Sequence, residues 1–212
     1  MVIARQSSRQ EDVRRAVGAP PFAPTKDRRP VRRLFMASVY KALEDLAPEK
    51  TEVFEGWFDP HDRNSRLHIA PVLGAISYLR RDVDLYSRIM ERAGRYASQW
   101  GYLDRSLFER KLLKTLPRSL RGGLVGYILR SGLSRVHRDG RLRVLKDEAR
   151  LRVEVDNSLF CRMGGPAEAP VCGYYAALFA GLLDRTGLAR PPVVETECQA
   201  EGARYCRFEA AR

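Results

Sequence analysis

Apolar positions along the chain change their spacing near residue 140, and this change predicts the fold class. Between residues 34 and 133 they recur every three or four positions, which is typical of amphipathic helices. The first such stretch carries Phe35, Val39, Leu43 and Leu46 and ends before Pro48. Beyond residue 140, apolar and polar residues alternate, as in strands with one buried face. We therefore predict an α+β fold, with N-terminal helices followed by antiparallel strands.

Turn and capping residues divide these two parts into elements. The predicted helices of the first part span residues 34–47, 71–81, 83–100, 106–117 and 119–133. Ser106 and Glu109 form a capping box for the fourth of them, and Gly101 is the expected C-terminal cap of the third. The second part opens with a hairpin at Asp139–Gly140. It continues with strands over 149–157, 193–198 and 204–210 and a helix over 173–185.

The N-terminal 33 residues differ from the rest because they have almost no periodic apolar pattern. They carry nine Lys or Arg residues, three acidic residues and four prolines that interrupt any helix. We predict a flexible basic arm over residues 1–33 and a single ligand-binding domain over residues 34–212. The composition of the arm does not fit a helix-turn-helix, so we expect no specific binding of nucleic acid.

The net charge of +12 predicts an anionic partner. Nucleic acid, anionic lipid, an acidic protein and a carboxylate-bearing small molecule all meet this condition. The alternative is an arginine-rich surface that contacts only solvent. The longest apolar run, Ala176–Leu183, is far shorter than the roughly 20 residues of a membrane span, and residues 1–15 lack the apolar core of a signal peptide. We therefore expect a cytoplasmic protein, free or peripheral to a membrane.

Three of the four cysteines lie within Cys172–Cys206, at the predicted ends of one helix and two strands. Cysteines in a cytoplasmic protein favour metal binding or buried thiols over disulfides. Cys172, Glu195, Cys198 and Cys206 form a candidate ligand set, because zinc binds thiolates and carboxylates in a tetrahedral shell, and a closed shell is structural. The alternative is a cluster of buried thiols that pack as small apolar groups.

The spacing of these residues leaves the fourth ligand open. Glu195 precedes Cys198 by three residues, which places the two side chains on opposite faces of a regular strand. A β-bulge is therefore needed between them if both are to bind one metal. Glu197 and Cys161 are rival fourth ligands.

Aromatic residues and a histidine of the helical part are candidates for binding a flat apolar ligand. Trp57, Tyr78 and Trp100 offer ring surfaces, and His68 offers an imidazole to a tetrapyrrole or its central metal. Each has an ordinary alternative as a core residue or a plain hydrogen-bonding group. His137 precedes the predicted hairpin turn and is expected to be exposed.

Motifs that supply a hydride or an electron are missing from the sequence. It has no GxGxxG motif after a strand, no P-loop and no iron–sulfur run of cysteines. A zinc ion closed by four protein ligands has no open position for chemistry. We therefore expect a non-catalytic binding protein rather than an enzyme.

The segment from about residue 150 to residue 210 resembles the 4-vinyl reductase domain family. The resemblance is carried by the strand RVEVDNS (152–158), by Cys172 with the following YYAALFAGLL, and by ETECQAEGARYCRFE (195–209). In sensor members of this family a Cys, a Glu and two further Cys bind zinc, and their order and spacing match Cys172, Glu195, Cys198 and Cys206. The resemblance also implies the fold of a vesicle-tethering subunit, in which N-terminal helices pack on a twisted antiparallel sheet around an apolar ligand pocket. Proteins with this fold are often dimeric. Cys161 departs from the family pattern, in which an apolar or small residue is more usual.

The full length, including LHIAPVLGAISYLRRD (67–82), is similar to the bacteriochlorophyll-pathway members of the family. This resemblance implies a carrier or accessory protein that binds an Mg-porphyrin or chlorophyllide. It also implies a structural zinc, a homodimer and docking on enzymes of the pathway. Arginines around an apolar pocket suit a macrocycle with carboxylates. The alternatives are a 4-vinyl reductase acting on (proto)chlorophyllide and a small-molecule sensor module.

Overall fold

A computed structural model describes residues 33–55, 69–115, 118–137, 140–146, 150–162, 167, 169–187 and 192–211. The helices of this part are α1 (Arg33–Leu46), α2 (Thr51–Glu55), α3 (Ile69–Leu79), α4 (Val83–Leu103), α5 (Leu107–Thr115), α6 (Arg118–Ser134), α7 (Leu159–Arg162) and α8 (Gly173–Arg185). The strands are β1 (Arg141–Lys146), β2 (Arg150–Asp156), β3 (Val194–Glu197) and β4 (Cys206–Ala211). These strands form one antiparallel sheet, so the predicted α+β class is confirmed.

Helix α4 packs against both α1 and α8. It begins where the Asp82 carboxylate accepts a hydrogen bond from the Leu85 backbone N–H at 3.0 Å, a helix N-cap. Its apolar side is buried against the two neighbouring helices. The crossing with α8 is close because Gly94 has no side chain: a Cβ there would meet the Tyr174 carbonyl oxygen and lie 2.8 Å from the Ala177 Cβ.

The sheet has the order β1–β2–β4–β3, and its two faces differ in chemistry. On one face Val153 and Phe208 are buried, and the Phe208 ring meets the Phe179 ring of α8 edge to face at 5.4 Å. On the other face Arg207 pairs with Glu154 at 3.2 Å. The alternation predicted for the strands therefore separates a core face from a charged face.

An aromatic cluster joins α1, α7 and α8. The Phe160 ring lies 4.8 Å from Tyr175 and 5.4 Å from Tyr174, and Phe35 lies 5.0 Å from Tyr174. The Tyr174 hydroxyl shares a buried hydrogen bond with the Ser38 hydroxyl at 3.0 Å. These contacts hold the four-residue helix α7, which on its own is too short to be stable, in a defined place.

The ends of the predicted helices are partly confirmed. In the capping box, the Ser106 hydroxyl accepts from the Glu109 N–H at 3.1 Å, and the Glu109 carboxylate accepts from the Ser106 N–H at 3.3 Å. The predicted cap at Gly101 is wrong, because α4 continues to Leu103 and Gly101 is buried inside the helix. A Cβ at Gly101 would make only ordinary contacts, the nearest with the Leu34 side chain at 3.7 Å, so packing does not require glycine here.

The strand predicted before the Asp139–Gly140 turn is also wrong, while Asp139 itself lies outside the described residues. Helix α6 continues to Ser134, and the His137 N–H still bonds the Leu133 carbonyl at 2.8 Å. Strand β1 begins at Arg141 and pairs with β2 instead. His137, predicted to be exposed, is 3% exposed because it follows the buried end of this helix.

The arm predicted over residues 1–33 lies outside the described residues, except that Arg33 begins α1. The division into an arm and one domain therefore stays a prediction. Among the described helices, none combines the length and the apolar character needed to cross a bilayer.

Candidate metal centre

All four cysteines of the chain meet at the junction of the sheet with α7 and α8. Cys161 lies in α7, Cys172 directly precedes α8, Cys198 follows β3, and Cys206 is the first residue of β4. Cys172, Cys198 and Cys206 are buried, and Cys161 is partly exposed. Residues far apart in the chain thus reach one point in the fold.

Three backbone irregularities produce this convergence. Asn157 has a φ of 60°, a left-handed conformation that asparagine tolerates, and it turns β2 into α7. A register shift between Glu195 and Glu197 bulges β3 next to Cys198. Gly202, with a φ of 93°, closes the turn that returns the chain to β4.

The four sulfurs are placed as the corners of a small tetrahedron. Cys161 Sγ lies 3.4 Å from Cys172 Sγ, 3.5 Å from Cys198 Sγ and 3.3 Å from Cys206 Sγ. Cys172 Sγ and Cys206 Sγ are 3.6 Å apart, and all four sulfurs lie within 4.8 Å of one another. Zinc–sulfur bonds of about 2.3 Å in a tetrahedron separate the sulfurs by about 3.8 Å. The group therefore fits one zinc-sized ion after a small expansion, and its thiols are free rather than joined as disulfides.

Polar groups around the cluster form hydrogen bonds with the sulfurs. The Ser158 hydroxyl lies 3.2 Å from Cys172 Sγ, and the Gln199 N–H donates to Cys206 Sγ at 3.4 Å. Such outer contacts orient thiolate ligands and stabilise their charge. Neither Ser158 nor Gln199 was predicted from the sequence, although each is close in sequence to a cysteine or to the β2 turn.

The thiols do not ionise independently. Hydrogen bonds from Cys161, Cys172 and Cys206 lower the pKa of the Cys198 thiol, because they stabilise its thiolate. Burial raises the pKa of Cys172 well above its ordinary value, and hydrogen bonds with the other thiols raise it further. The pKa of the Cys161 thiol is lowered as well, chiefly by its hydrogen bond with Cys172, so ionisation is favoured at Cys161 and Cys198 and opposed at Cys172. A bound cation removes this opposition, since it stabilises every thiolate that contacts it.

Glu195 lies beside the sulfur cluster. Its Oε2 accepts a hydrogen bond from the Cys172 N–H at 2.9 Å, and its Oε1 is buried without a partner among the described residues. Burial raises the pKa of this carboxyl to about 9, with a further contribution from the charge of Cys198. Glu197 pairs with Arg207 on the charged face of the sheet, away from the sulfurs. The structure therefore brings Cys161, and not a carboxylate, into the group with the other three cysteines. Which four residues hold a metal stays a prediction.

Two of the four predicted ligand-binding residues, Tyr78 and Trp100, lie in the described part of the chain. Tyr78 is partly buried, and the Lys50 ammonium lies 5.5 Å from the centre of its ring. Trp100 stacks on Tyr96 with ring centres 5.5 Å apart. Trp57 and His68 lie outside the described residues. A pocket formed by these four residues stays a prediction.

The part of the chain that carries the cysteines matches a known family. Residues 151–212 match the model of the 4-vinyl reductase domain. The matched segment runs from β2 to the end of the chain and contains all four cysteines, so the resemblance predicted for about 150–210 is confirmed. The whole-chain resemblance to bacteriochlorophyll-pathway members stays a prediction.

A solved structure similar to this chain is the phenol-responsive sensory domain of the transcription activator PoxR with phenol. It is 19% identical in sequence, and the alignment covers 81% of this chain and 88% of that chain with a TM-score of 0.44. No curated protein sequence matches the chain.

Proposed function

We propose that this chain is a non-catalytic small-molecule-binding module whose 4-vinyl reductase domain segment is held together by a structural zinc ion. The observation that carries the zinc part is the cluster of four free thiols, whose sulfurs all lie within 4.8 Å of one another and are 3.3 to 3.6 Å apart in four of the six pairs. Four thiolates close the coordination shell, so the metal would supply folding energy rather than an open position for a substrate.

Zinc suits this donor set better than an iron–sulfur cluster does. Tetrahedral thiolate sites are typical of zinc or of iron. In a cluster of several irons, the cysteines bind different metal atoms and therefore stand further apart than these sulfurs do. Sulfurs in mutual contact suit a single ion at their centre.

We further propose that the ligand is a carboxylate-bearing tetrapyrrole, an Mg-porphyrin or a chlorophyllide. The family match supports binding of a small molecule, and the net charge of +12 suits an anionic ligand. In this proposal a homodimer, located in the cytoplasm or at a membrane surface, passes the pigment between enzymes of bacteriochlorophyll synthesis. The competing function is reduction of a 4-vinyl group by the same chain.

Absorption spectroscopy separates the two functions. The purified, zinc-loaded chain is incubated with Mg-protoporphyrin or divinyl chlorophyllide, with and without NADPH. A shifted spectrum of unreduced pigment in both conditions is the expected result. Conversion of the divinyl pigment to its monovinyl form in the presence of NADPH would refute the carrier function in favour of a reductase. A lack of pigment binding at micromolar concentration would refute both functions. Bovine serum albumin at the same concentration controls for nonspecific pigment binding.

A further inference from the structure

Arg105 lies in the corner between α4 and α5 and is buried without an anionic partner among the described residues. The residue is 5% exposed, and in the described part of the chain its guanidinium takes part in no hydrogen bond or ion pair. Its Nε is fully enclosed without an acceptor. The guanidinium lies over the ring of Tyr127 in α6, 5.7 Å from the ring centre. Burying an unpaired charge opposes folding, so a residue of this kind calls for a functional explanation.

The two acidic residues next to Arg105 in the chain are already engaged. The Asp104 carboxylate lies 3.4 Å from the Arg135 guanidinium. The Glu109 carboxylate accepts the Ser106 N–H in the capping box of α5. These two carboxylates therefore bind other groups, and the Arg105 guanidinium remains available to an anion from outside the chain.

The segment that carries Arg105 exposes three apolar side chains. Leu103, Leu107 and Phe108 are all more than half exposed, and they flank Arg105 in sequence on both sides. The Tyr102 hydroxyl, in the same corner, is buried and has no partner among the described residues. A buried cation next to exposed apolar side chains suits a ligand that has both an apolar body and an anionic group.

We propose that Arg105 binds the carboxylate of an amphiphilic small molecule whose apolar body covers Leu103, Leu107 and Phe108. The planar guanidinium can hold a carboxylate through two parallel hydrogen bonds, and its cation–π contact with Tyr127 helps to hold the side chain in place. The proposal deepens the proposed function, and it rests on that function for the view that the chain binds a small molecule. It assigns the carboxylate end of the ligand to one arginine.

A structural role for Arg105 makes the opposite prediction about stability. A cation just beyond the end of α4 is favoured by the helix dipole. That role is already served by Arg135, which donates to the Gly101 carbonyl at 3.1 Å. If Arg105 were structural, Arg105→Met would destabilise the protein. If Arg105 is held for a ligand, the same change relieves an unpaired charge and leaves stability equal or higher.

The test compares two probes of the same shape, 2-naphthoate and its neutral analogue 2-naphthamide, by titration of the zinc-loaded full chain. The wild type is expected to bind the carboxylate at least about tenfold more tightly than the amide. In Arg105→Met this preference should vanish, while the midpoint of urea denaturation stays equal or rises. The matched control is Arg95→Met, which removes an exposed arginine paired with Glu91 and should keep the preference.

Three results would overturn the proposal: no carboxylate preference in the wild type, an unchanged preference in Arg105→Met, or a marked loss of stability in that variant. Pigment titrations separate it from the proposed function. Pigment binding that Arg105→Met leaves intact refutes the assignment of Arg105 but keeps the carrier. Carboxylate binding at Arg105 without pigment binding supports the site and refutes the tetrapyrrole.

Discussion

Replacing Cys161 by serine tests the composition of the metal site, because Cys161 and Glu195 compete for the fourth position. Cys161 Sγ is within 3.5 Å of each of the other three sulfurs, so it occupies one corner of the tetrahedron. Glu195 instead accepts a hydrogen bond from the Cys172 backbone. The two substitutions Cys161→Ser and Glu195→Gln should therefore differ sharply in their effect on zinc affinity.

The expected magnitude follows from the free energy of a structural zinc site. The free energy of zinc binding at such sites is about 10–16 kcal/mol, or about 2.5–4 kcal/mol for each of four ligands. Loss of the Cys161 thiolate should thus weaken zinc binding by roughly two to three powers of ten, less whatever the serine oxygen retains. Loss of a hydrogen-bond partner of a metal ligand typically weakens metal affinity by roughly 10- to 100-fold. Glutamine at position 195 can still accept the Cys172 N–H, so Glu195→Gln should cost less than about tenfold.

Competition with a chromophoric chelator under anaerobic, reducing conditions measures both affinities. Cobalt substitution gives an independent count, since the intensity of thiolate-to-cobalt charge transfer increases with the number of thiolates. Cys161→Ser should lower this intensity by about a quarter, and Glu195→Gln should leave it unchanged. The reverse order in both measurements would refute the four-thiolate site and restore Glu195 as a ligand. A wild type that binds no zinc would refute the metal itself.

Two further predictions concern packing. Gly94→Ala should lower the free energy of unfolding in urea by about 3 kcal/mol, because the added Cβ would press on the backbone of α8. The control is Gly173→Ala, where a Cβ meets nothing within 4 Å, and it should change the free energy of unfolding by less than about 0.5 kcal/mol. Equal effects at the two glycines would contradict the close crossing. Tyr174→Phe should cost about 1 kcal/mol, since it removes the buried bond to Ser38 but leaves Ser38 donating to the Phe35 carbonyl at 2.7 Å. A loss above about 3 kcal/mol would show that the hydroxyl has a larger role than this bond.

Local pattern was enough to predict most of the helices and the capping box. The spacing of Phe35, Val39 and Leu43 identified α1, whose core face is buried as that pattern requires. The ends of elements were harder to predict. Gly101 carries the usual signal of a helix end, yet α4 continues to Leu103, because tertiary context overrides a weak local preference.

The candidate metal site shows more clearly the difference between what local pattern predicts and what tertiary packing determines. The stretch from Cys172 to Cys206 identified three donors, and the resemblance of the surrounding residues identified the 4-vinyl reductase domain segment. Cys161 was only a rival ligand, because its distance in sequence from the other cysteines says nothing about where α7 lies. Its place depends on the left-handed turn at Asn157 and on the packing of Phe160 against Tyr174 and Tyr175.

By itself, the sequence determined the α+β class, the order of most elements and a cysteine-rich segment related to the 4-vinyl reductase domain family, since periodicity and motifs are local properties. Only the tertiary structure decided which side chains converge: Cys161 with the other thiols, Glu195 beside them, and Arg105 buried without a carboxylate from the described part of the chain. The physical reason is that ligand sets and unpaired charges depend on distances between elements far apart in the chain. Those distances are set by packing and backbone turns, and no spacing along the sequence encodes them directly.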